Sequence, residues 1–488
     1  MTAAAIPDNR ARADPHGACI ADERQELDNQ QFAGLVQAAA AKFARAGLRN
    51  GDVLAIMAPN RVELLTSMFA AWRLGAAVTP VNPALTAPEA RYQVDDAAPA
   101  LVVADEASAP KLRDGSRPVI ALTEVASPPA PAAPPPPVSA DPGTRALLIY
   151  TSGTTGRPKG VVLDHANIAA TAGLVAAWFE MTGDTRSLLV LPLFHVDGIV
   201  VSVVSPLLAG GSAVIGQRFD ATNFWAAVAR ARPSFFSAVP TIFARLASLP
   251  GGQPGTSSLR YAICGAAPMP AGLIGEFEQR FGVPVVEGYG LTEGTVCCTA
   301  NPLHGPRKPG TVGVPLPGVD VAVVDGHDLP LPAGQAGEVV VRGPNVMRGY
   351  LRRPKESAQA LRGGWLHTGD VGRLGEDGYL TLVDRIKDII IRGGENIYPK
   401  EIEDVLRAHP AVLEAAVVGQ PDPELGEQPV AFAVLRHGHD ASPAELIEHC
   451  RASLARYKVP RQVHIEKALP RNATGKLDKP ALRQQLHG

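Results

Sequence analysis

The sequence predicts a mixed α/β protein with a large N-terminal domain of parallel βαβ layers and a small α+β C-terminal domain. Three observations support this fold class. The 488 residues exceed the usual size of one domain. Helix-like and strand-like stretches alternate from residue 31 onward, which is typical of βαβ units and a largely parallel sheet. After residue 310 the pattern changes to short strands separated by Gly, Pro and Asp turns.

The N-terminal part begins with a clear alternation. FAGLVQAAAAKFARAG and NRVELLTSMFAAWRLG have helical character, whereas VLAIMA, AAVTPVN and ALVVAD are short apolar runs typical of buried strands. The alternation resumes at residue 146 and continues past residue 290. Between the two stretches, the proline-dense SPPAPAAPPPPV at 127–138 indicates an extended surface segment.

The apolar segment IVVSVVSPLLAGGSAVIG at 199–216 is the best candidate for a membrane span. Pro206, Gly210 and Gly211 interrupt it, so we predict two buried strands joined by a turn instead.

The last third of the sequence contains two further patterns, each of which predicts a different kind of structure. DVAVVD, GEVVVRG and GYLTLVDRIKDIIIRGG predict an antiparallel β segment or small barrel. After DRIKD at 384–388 come a helix, two strands, a second helix and a basic tail, which predict a separate α+β domain of normal size.

Composition points to small-molecule partners. Lys plus Arg total 46 against 48 Asp plus Glu, so no strong field would attract nucleic acid or an anionic membrane. The five cysteines lack metal-ligand or CxxC spacing, and the N-terminus lacks an apolar signal-peptide core. We therefore expect a cytoplasmic protein without a metal clip of cysteines.

The segment TSGTTGRPKG at 151–160 has the composition of an anion-binding loop. Its glycines allow backbone N–H groups to converge on an anion, its hydroxyls add donors, and Lys159 adds charge. Because Gly160 rather than Ser or Thr follows Lys159, this is not a Walker A loop. A purely structural turn is the alternative, but phosphate binding explains the residue density better.

The segment EGYGLTEGT at 287–295 combines a ring, a hydroxyl and a carboxylate. Glu293 could hold Mg²⁺, Thr292 could donate to a phosphate, and Tyr289 offers a face to a base. The start of a capped helix is an equally good explanation of this stretch alone.

Three further polar residues are ambiguous when taken singly. Asp370 in HTGD could accept two ribose hydroxyls or could serve a turn. His195 in LFHVDG is more typical of a core histidine, and Lys476 in PRNATGKLDK is more typical of a solvated charge.

Taken together, six motifs in order resemble the acyl-adenylate-forming, or AMP-binding, enzymes of the acyl-CoA synthetase and fatty-acid–CoA ligase type. The motifs are YTSGTTGRPKG, LPLFHVDG, EGYGLTEGT, HTGD, DRIKDIIIRGGENIYPKEIE and PRNATGKLDK, and they span residues 150–479. The resemblance implies an N-terminal adenylation domain at 1–384, a hinge at 385–388, and a mobile C-terminal lid at 389–488. It also implies two half-reactions: ATP and a carboxylate give acyl-AMP and pyrophosphate, and a thiol then displaces AMP.

The resemblance assigns roles to individual residues. Lys476, Thr292, Glu293 and His195 are implied to be catalytic, Glu293 as the Mg²⁺ ligand and His195 as a gate beside the acyl group. The residues implied to contact ATP or AMP are Thr151, Ser152, Gly153, Thr154, Thr155, Gly156, Lys159, Gly265, Ala266, Ala267, Gly288, Tyr289, Gly290, Thr292, Asp370, Arg385 and Lys476. The acyl pocket is implied to contain His195, Gly265, Gly290, Gly294 and Val296. Gly393 and Gly394 are implied to line the coenzyme A channel, and Lys387 falls at the hinge.

The expected small molecules are ATP, Mg²⁺, coenzyme A and a carboxylic acid. A homodimer is one of the assembly states that the sequence leaves undecided. Neither nucleic acid binding nor a membrane span is expected. Because a free-standing chain shows no carrier domain, coenzyme A is the default acceptor. A separate carrier protein, or a non-catalytic nucleotide-binding role, is the alternative.

The substrate prediction rests on a few positions. Acetyl-CoA synthetases carry tryptophan where Gly290 stands, and malonyl-CoA synthetases carry arginine where Gly288 stands, so the resemblance implies a pocket that admits a longer or ring-bearing acid without a second carboxylate. Asp197 is displaced from the FDxS pattern of amino-acid-activating domains. We therefore predict a medium- or long-chain fatty acid, with an aryl carboxylate as the alternative.

Overall fold

The structure is a computed structural model, and it describes residues 2–112, 117–125, 138, 141–151, 158–249, 255–267, 269–393, 395–471 and 477–486. The proline-dense run at 127–137 lies outside these ranges. The chain forms two compact units. The larger consists of Met1–Ala322, Val340–Thr368 and Gly375–Thr381, and the smaller consists of Val323–Val339, Gly369–Leu374 and Leu382–Gly488.

The helices are numbered in chain order. They are α1 Ile6–Ala13, α2 Asn29–Arg45, α3 Val62–Arg73, α4 Ala87–Ala97, α5 Ala109–Leu112, α6 Leu122–Val125, α7 His165–Trp178, α8 Val196–Ile199, α9 Ser205–Leu208, α10 Phe224–Ala231, α11 Pro240–Ala247, α12 Ala271–Phe281, α13 Pro354–Ala360, α14 Pro399–Ala408, α15 Pro443–Ser453 and α16 Lys479–Gln485. Among the described residues, no helix is long and apolar enough to cross a membrane.

The strands are numbered in the same way. They are β1 Ala18–Ala21, β2 Glu26–Asp28, β3 Val53–Met57, β4 Ala77–Pro80, β5 Leu101–Ala104, β6 Val119–Ala121, β7 Arg145–Thr151, β8 Lys159–Asp164, β9 Arg186–Leu189, β10 Ser212–Ile215, β11 Phe235–Ala238, β12 Tyr261–Cys264, β13 Val285–Tyr289, β14 Thr299–Ala300, β15 Val314–Pro315, β16 Asp320–Val324, β17 Ala336–Arg342, β18 Gly349–Tyr350, β19 Leu366–Leu374, β20 Leu380–Arg385, β21 Ile390–Arg392, β22 Glu395–Ile397, β23 Val412–Asp422, β24 Gly426–Leu435 and β25 Gln462–Glu466.

Two large, mainly parallel sheets confirm the predicted α/β class. The first has nine strands in the order β15-β14-β13-β12-β11-β9-β10-β1-β2, and the second has seven in the order β18-β8-β7-β4-β3-β5-β6. The central pairs are parallel, and their strands are buried on both faces, as expected when helices cover a sheet. Helix starts follow the sequence signals too: Asp28 and Asp164 each form a capping box at α2 and α7.

The predicted β region after residue 310 and the predicted α+β domain are also confirmed. The former is a four-stranded sheet in the order β16-β17-β19-β20. In the smaller unit, β22-β21-β24-β23 form a sheet, with β25 parallel to β24. Ile402 and Leu406 of α14 and Leu446 of α15 are fully buried in its core.

The prediction for residues 199–216 was half wrong. Residues Val196–Leu208 are helical, with a π-helical turn at Val200–Val204 between α8 and α9, and only Ser212–Ile215 forms a strand. Valine-rich runs favour strands by propensity, but this run is buried on every side, and periodicity cannot separate a buried helix from a buried strand.

Candidate active site

Strands β7 and β8 bring together the ends of the predicted phosphate loop. They pair antiparallel, and Thr151 lies opposite Lys159 in the register. Both are half-buried. Ser152, Gly153, Thr154, Thr155 and Gly156 lie outside the described residues, so their predicted roles stay predictions. The structure therefore positions the two ends of the loop and its lysine.

Tyr350 connects this lysine to Glu293. The Lys159 Nζ atom lies over the Tyr350 ring, 5.3 Å from its centroid, and the Tyr350 hydroxyl donates a hydrogen bond to Glu293 Oε1 at 3.0 Å. The short strand β18 pairs with β8 and so places Tyr350 there, and Met347 N–H donates to the Glu293 carbonyl at 2.8 Å. A predicted phosphate-binding cation and a predicted metal-binding carboxylate thus converge on one ring.

Tyr350 remains the hydrogen-bond donor to the Glu293 carboxylate at all ordinary pH values. Burial first, and then the adjacent Glu293 carboxylate, raise the pKa of Tyr350 above its usual value. The hydroxyl therefore stays protonated. This hydrogen bond uses one of the two Glu293 carboxylate oxygens, so the other oxygen could coordinate a metal ion.

Glu293 and Thr292 begin a short 3-10 turn rather than the capped α-helix that was the alternative. The turn covers Thr292–Gly294 and follows directly after β13. Glu293 and Thr292 are both half-buried, and Tyr289 is 7% exposed. Reaching a ligand requires this partial exposure of Glu293 and Thr292.

The structure gives Gly290 a different explanation from the one the sequence suggested. A Cβ atom added there would lie 1.7 Å from the Val296 carbonyl oxygen and 2.8 Å from the Cys297 nitrogen. Gly290 is therefore required by a close backbone approach, so its lack of a side chain is no evidence of space for a long acid. At Gly294 the obstacle is the Cys298 sulfur, 2.8 Å away.

Gly265, Ala266 and Ala267 follow directly after β12, at the carboxyl edge of the parallel sheet. This is where ligands bind in such sheets. Gly265 is half-buried, and among the described residues a Cβ added there would meet only the Gly288 carbonyl oxygen, at 3.8 Å. Ala266 and Ala267 are exposed, and Ala266 has a left-handed φ of 68°.

His195 lies immediately before α8, in the helix N-cap position. Its ring packs against Phe194, with the centroids 4.6 Å apart, and the residue is half-buried rather than sealed in the core. Its predicted gating role stays a prediction. Two residues later comes Asp197, whose Oδ2 accepts a hydrogen bond from Ser237 at 3.3 Å.

The smaller unit contains Asp370 and Arg385. Arg385 Nε lies 2.7 Å from Asp370 Oδ1, and the Asp370 side chain is 7% exposed whereas that of Arg385 is 50% exposed. These two residues, assigned from separate motifs, therefore form an ion pair. Their contact with ribose stays a prediction.

Two anchored aspartates of the smaller unit lie at the predicted hinge: Asp384 precedes it and Asp388 is its last residue. Asp384 accepts from the Lys400 backbone N–H of α14 at 2.8 Å, and Asp388 pairs with Arg483 at 2.8 Å. Between them, Lys387 is exposed. Gly393 has a left-handed φ of 59°, which itself favours glycine. Gly394 and Lys476 lie outside the described residues.

Sequence reasoning missed Tyr350. The only local signal is the dipeptide GY before LRRP, which carries no chemistry by itself. It acquires meaning from the pairing of β18 with β8, a contact between residues almost two hundred positions apart.

The residues present fit the small molecules expected. Glu293 offers a half-buried carboxylate of the kind Mg²⁺ prefers, and Lys159, which contacts the same tyrosine, supplies a cation for phosphate. Among the described residues, nothing but the Gly288 carbonyl oxygen lies within 4 Å of a Cβ added at Gly265.

Comparison with known proteins matches most of the chain to the two domains of one enzyme family. The family model described as AMP-binding enzyme covers residues 7–351, and that described as AMP-binding enzyme C-terminal domain covers residues 401–476.

Two curated relatives and one solved structure show how far the similarity extends. A feruloyl-CoA synthase of Amycolatopsis sp is 35% identical, covering 98% of each chain. The long-chain-fatty-acid–CoA ligase FadD13 of Mycobacterium tuberculosis is 35% identical, covering 90% of this chain and 89% of its own. The o-succinylbenzoate coenzyme A synthetase MenE of Bacillus subtilis, solved with ATP and a magnesium ion, is 32% identical and covers 99% of both chains with a TM-score of 0.88.

Proposed function

This chain belongs to the AMP-binding enzyme family and is an acid–thiol ligase of the AMP-forming acyl-CoA synthetase type, and from that premise we propose that it joins a hydrophobic carboxylic acid to coenzyme A. In the first step a carboxylate oxygen attacks the α-phosphorus of ATP, which forms acyl-AMP and releases pyrophosphate. In the second, the thiolate of coenzyme A attacks the acyl carbon, and AMP leaves. The observation that carries the proposal is the convergence of Lys159 and Glu293 on Tyr350.

The first step needs charge compensation on the triphosphate. In the proposal, Lys159 binds the β- and γ-phosphates with the hydroxyls and N–H groups of the loop that begins at Thr151, and Thr292 donates to a phosphate. Glu293, held by Tyr350, would coordinate Mg²⁺, which neutralises phosphate charge when bound. Holding the leaving pyrophosphate in this way lowers the barrier to its departure.

The smaller unit is proposed to serve both steps. Asp370 and Arg385 are proposed to bind the ribose hydroxyls, and Lys476 is proposed to contact the carboxylate and α-phosphate. The residues 385–388, with Lys387, are proposed as a hinge between an adenylation domain at 1–384 and a lid at 389–488. Gly393 and Gly394 are proposed to lie along the coenzyme A channel.

Two classes of acid remain candidates. The sequence favoured a medium- or long-chain fatty acid, with an aryl acid as the alternative. Gly290 does not support a pocket large enough for either class, because a close backbone contact explains that glycine. The relatives act, by their names, on a ring-bearing acid and on long-chain fatty acids. We therefore propose both classes for the site beside Gly265 and Val296.

A screen of pyrophosphate release tests the proposal. The purified chain is incubated with ATP, Mg²⁺, coenzyme A and one acid from a panel of acetate, malonate, C6 to C18 fatty acids, benzoates and cinnamates. We expect release with hydrophobic acids, accompanied by the corresponding thioester in the mass spectrum. Absence of pyrophosphate release and thioester with every acid would refute the proposal.

The half-reactions can be separated with Lys476→Ala. We expect this variant to lose acyl-AMP formation while it still forms thioester from supplied acyl-AMP. Equal loss of both half-reactions would contradict the role given to Lys476.

A further inference from the structure

Asp197 is a carboxylate that the proposed reaction does not use. It lies in the first turn of α8, between the buried residues Val196 and Gly198. Its Oδ2 atom accepts a hydrogen bond from Ser237 Oγ at 3.3 Å, whereas its Oδ1 atom is buried and has no hydrogen-bond partner among the described residues. A carboxylate in a first helical turn usually accepts from N–H groups of that turn, but this one binds a strand forty positions away.

The electrostatic environment makes this arrangement costly. Among the residues that the structure describes, the Asp197 carboxylate forms no salt bridge. Burial raises the pKa of Asp197 to about 6, with the Ser237 hydrogen bond acting in the opposite direction. The group is therefore mostly ionised at neutral pH. A buried, ionised oxygen without a partner is rare in folded proteins and indicates that a partner is supplied from outside.

The neighbours of Asp197 show that it lies at the carboxyl ends of strands β11 and β12. Ser237 lies near the carboxyl end of β11, and Cys264 ends the adjacent strand β12, directly before Gly265. Burial is the main cause of the raised pKa of Cys297, and Cys298 and Asp197 add to it. Burial and Glu287 raise the pKa of Cys264, again with a contribution from Asp197.

Asp197 thus shares a wall with the proposed acyl residues. Cys264 and Cys297 are the chain neighbours of Gly265 and Val296, both assigned to the acyl pocket. Among the described residues, an added Cβ at Gly265 would meet no atom nearer than the Gly288 carbonyl oxygen at 3.8 Å. The unpartnered Oδ1 atom of Asp197 is therefore a hydrogen-bond acceptor close to the residues assigned to the acyl group.

We propose that Asp197, supported by Ser237, determines substrate specificity by accepting a hydrogen bond from a hydroxyl or amino group on the body of the acid, away from the reacting carboxylate. This inference rests on the proposed function. A plain alkyl or aryl acid would leave the Oδ1 atom unpartnered, whereas an acid with a donor group would satisfy it. Sites built around such a polar group discriminate strongly against analogues that lack the partner.

Matched pairs of acids test this inference. Each pair differs only by the donor: benzoate with 4-hydroxybenzoate and 4-aminobenzoate, cinnamate with 4-hydroxycinnamate, and octanoate with 8-hydroxyoctanoate. The measured quantity is kcat/KM, from pyrophosphate release and thioester formation. We expect the donor-bearing member of at least one pair to be preferred by a factor of about ten or more.

Asp197→Leu replaces the carboxylate by an apolar group of similar length. We expect it to lose the preference and to gain activity on the plain member of the pair. Asp220→Leu, at an exposed aspartate, is the matched control and should keep the wild-type ratio. If Asp197→Leu does not fold, Asp197→Asn serves in its place and should reduce the preference. Equal kcat/KM within every pair for the wild-type protein, or an unchanged ratio in the Asp197 variant, would overturn the proposal.

A binding measurement separates this inference from the proposed function. Acyl-sulfamoyl adenosines mimic the acyl-AMP and need no turnover, so their affinities can be measured by calorimetry for the same pairs. If no acid supports turnover, the proposed function fails, and tighter binding of the donor-bearing analogue still supports the role of Asp197. Equal affinity within all pairs overturns that role.

Discussion

Replacing Tyr350 by phenylalanine tests the contact that links the phosphate loop to Glu293. The substitution removes the hydroxyl that donates to Glu293 Oε1 at 3.0 Å. It keeps the ring over which Lys159 lies, so the cation–π contact is retained. Only the restraint on the Glu293 carboxylate is therefore lost.

The expected effect is modest but measurable. A hydrogen bond to a charged group contributes about 1.5–3 kcal/mol to the net free energy. Because Tyr350 and Glu293 are both half-buried, water replaces part of the lost bond, and about 1 kcal/mol remains. That corresponds to about a fivefold rise in the Mg²⁺ concentration needed for half-maximal rate and a similar fall in kcat/KM for ATP.

Titration of pyrophosphate release against Mg²⁺ measures this effect. Tyr379→Phe is the matched control, because Tyr379 also donates from its hydroxyl, to the Pro306 carbonyl at 2.6 Å, and also lies under a lysine, Lys308. We expect the control to keep the wild-type Mg²⁺ dependence and both variants to unfold at similar temperatures. A Tyr350→Phe variant with the same Mg²⁺ and ATP dependence as the control would refute the positioning role of the hydroxyl.

Three other predictions concern single positions. Gly290→Ala should lower the free energy of unfolding by about 1–3 kcal/mol, because the new Cβ meets the Val296 carbonyl oxygen, whereas Gly265→Ala should change it little. Chemical denaturation measures both variants, and equal stability of the two would contradict this explanation of Gly290. Glu293→Ala should raise the Mg²⁺ requirement and cut turnover by about tenfold or more, and unchanged Mg²⁺ dependence would exclude it as a ligand. The raised pKa of Asp197 makes the wild-type protein lose folding stability as the pH rises from about 4 to 6. Asp197→Asn lacks this ionisation, so above about pH 6 its free energy of unfolding should exceed that of the wild type by at most about 3 kcal/mol. Thermal unfolding at both ends of that range checks it, and a pH-independent difference would contradict the assignment.

Much of the fold followed from local patterns. Helices α2 and α3 coincide with the two helical stretches of the sequence, and strands β3, β4 and β5 coincide with the short apolar runs beside them. The segment at 199–216 did not follow, because a run that is apolar on every side has no face to indicate its period. In that case burial and packing decide between helix and strand.

Candidate site residues divide in the same way. Lys159, Glu293, Asp370 and Arg385 were named from motifs, because each motif keeps its reactive residue types close together in sequence. Tyr350 was not, since it belongs to no motif and acts through its contact with Glu293.

The sequence by itself determined the α/β class, the order of the motifs and the identity of most candidate residues, because these depend on residue type and spacing along the chain. Only the tertiary structure decided what each residue meets. It placed Lys159 over the ring of Tyr350 and Glu293 against the hydroxyl of the same residue. It also showed that Gly290 is required by a close backbone contact, and that one carboxylate oxygen of Asp197 has no hydrogen-bond partner among the described residues. Such facts depend on distances between segments remote in sequence, and local patterns contain no information about those distances.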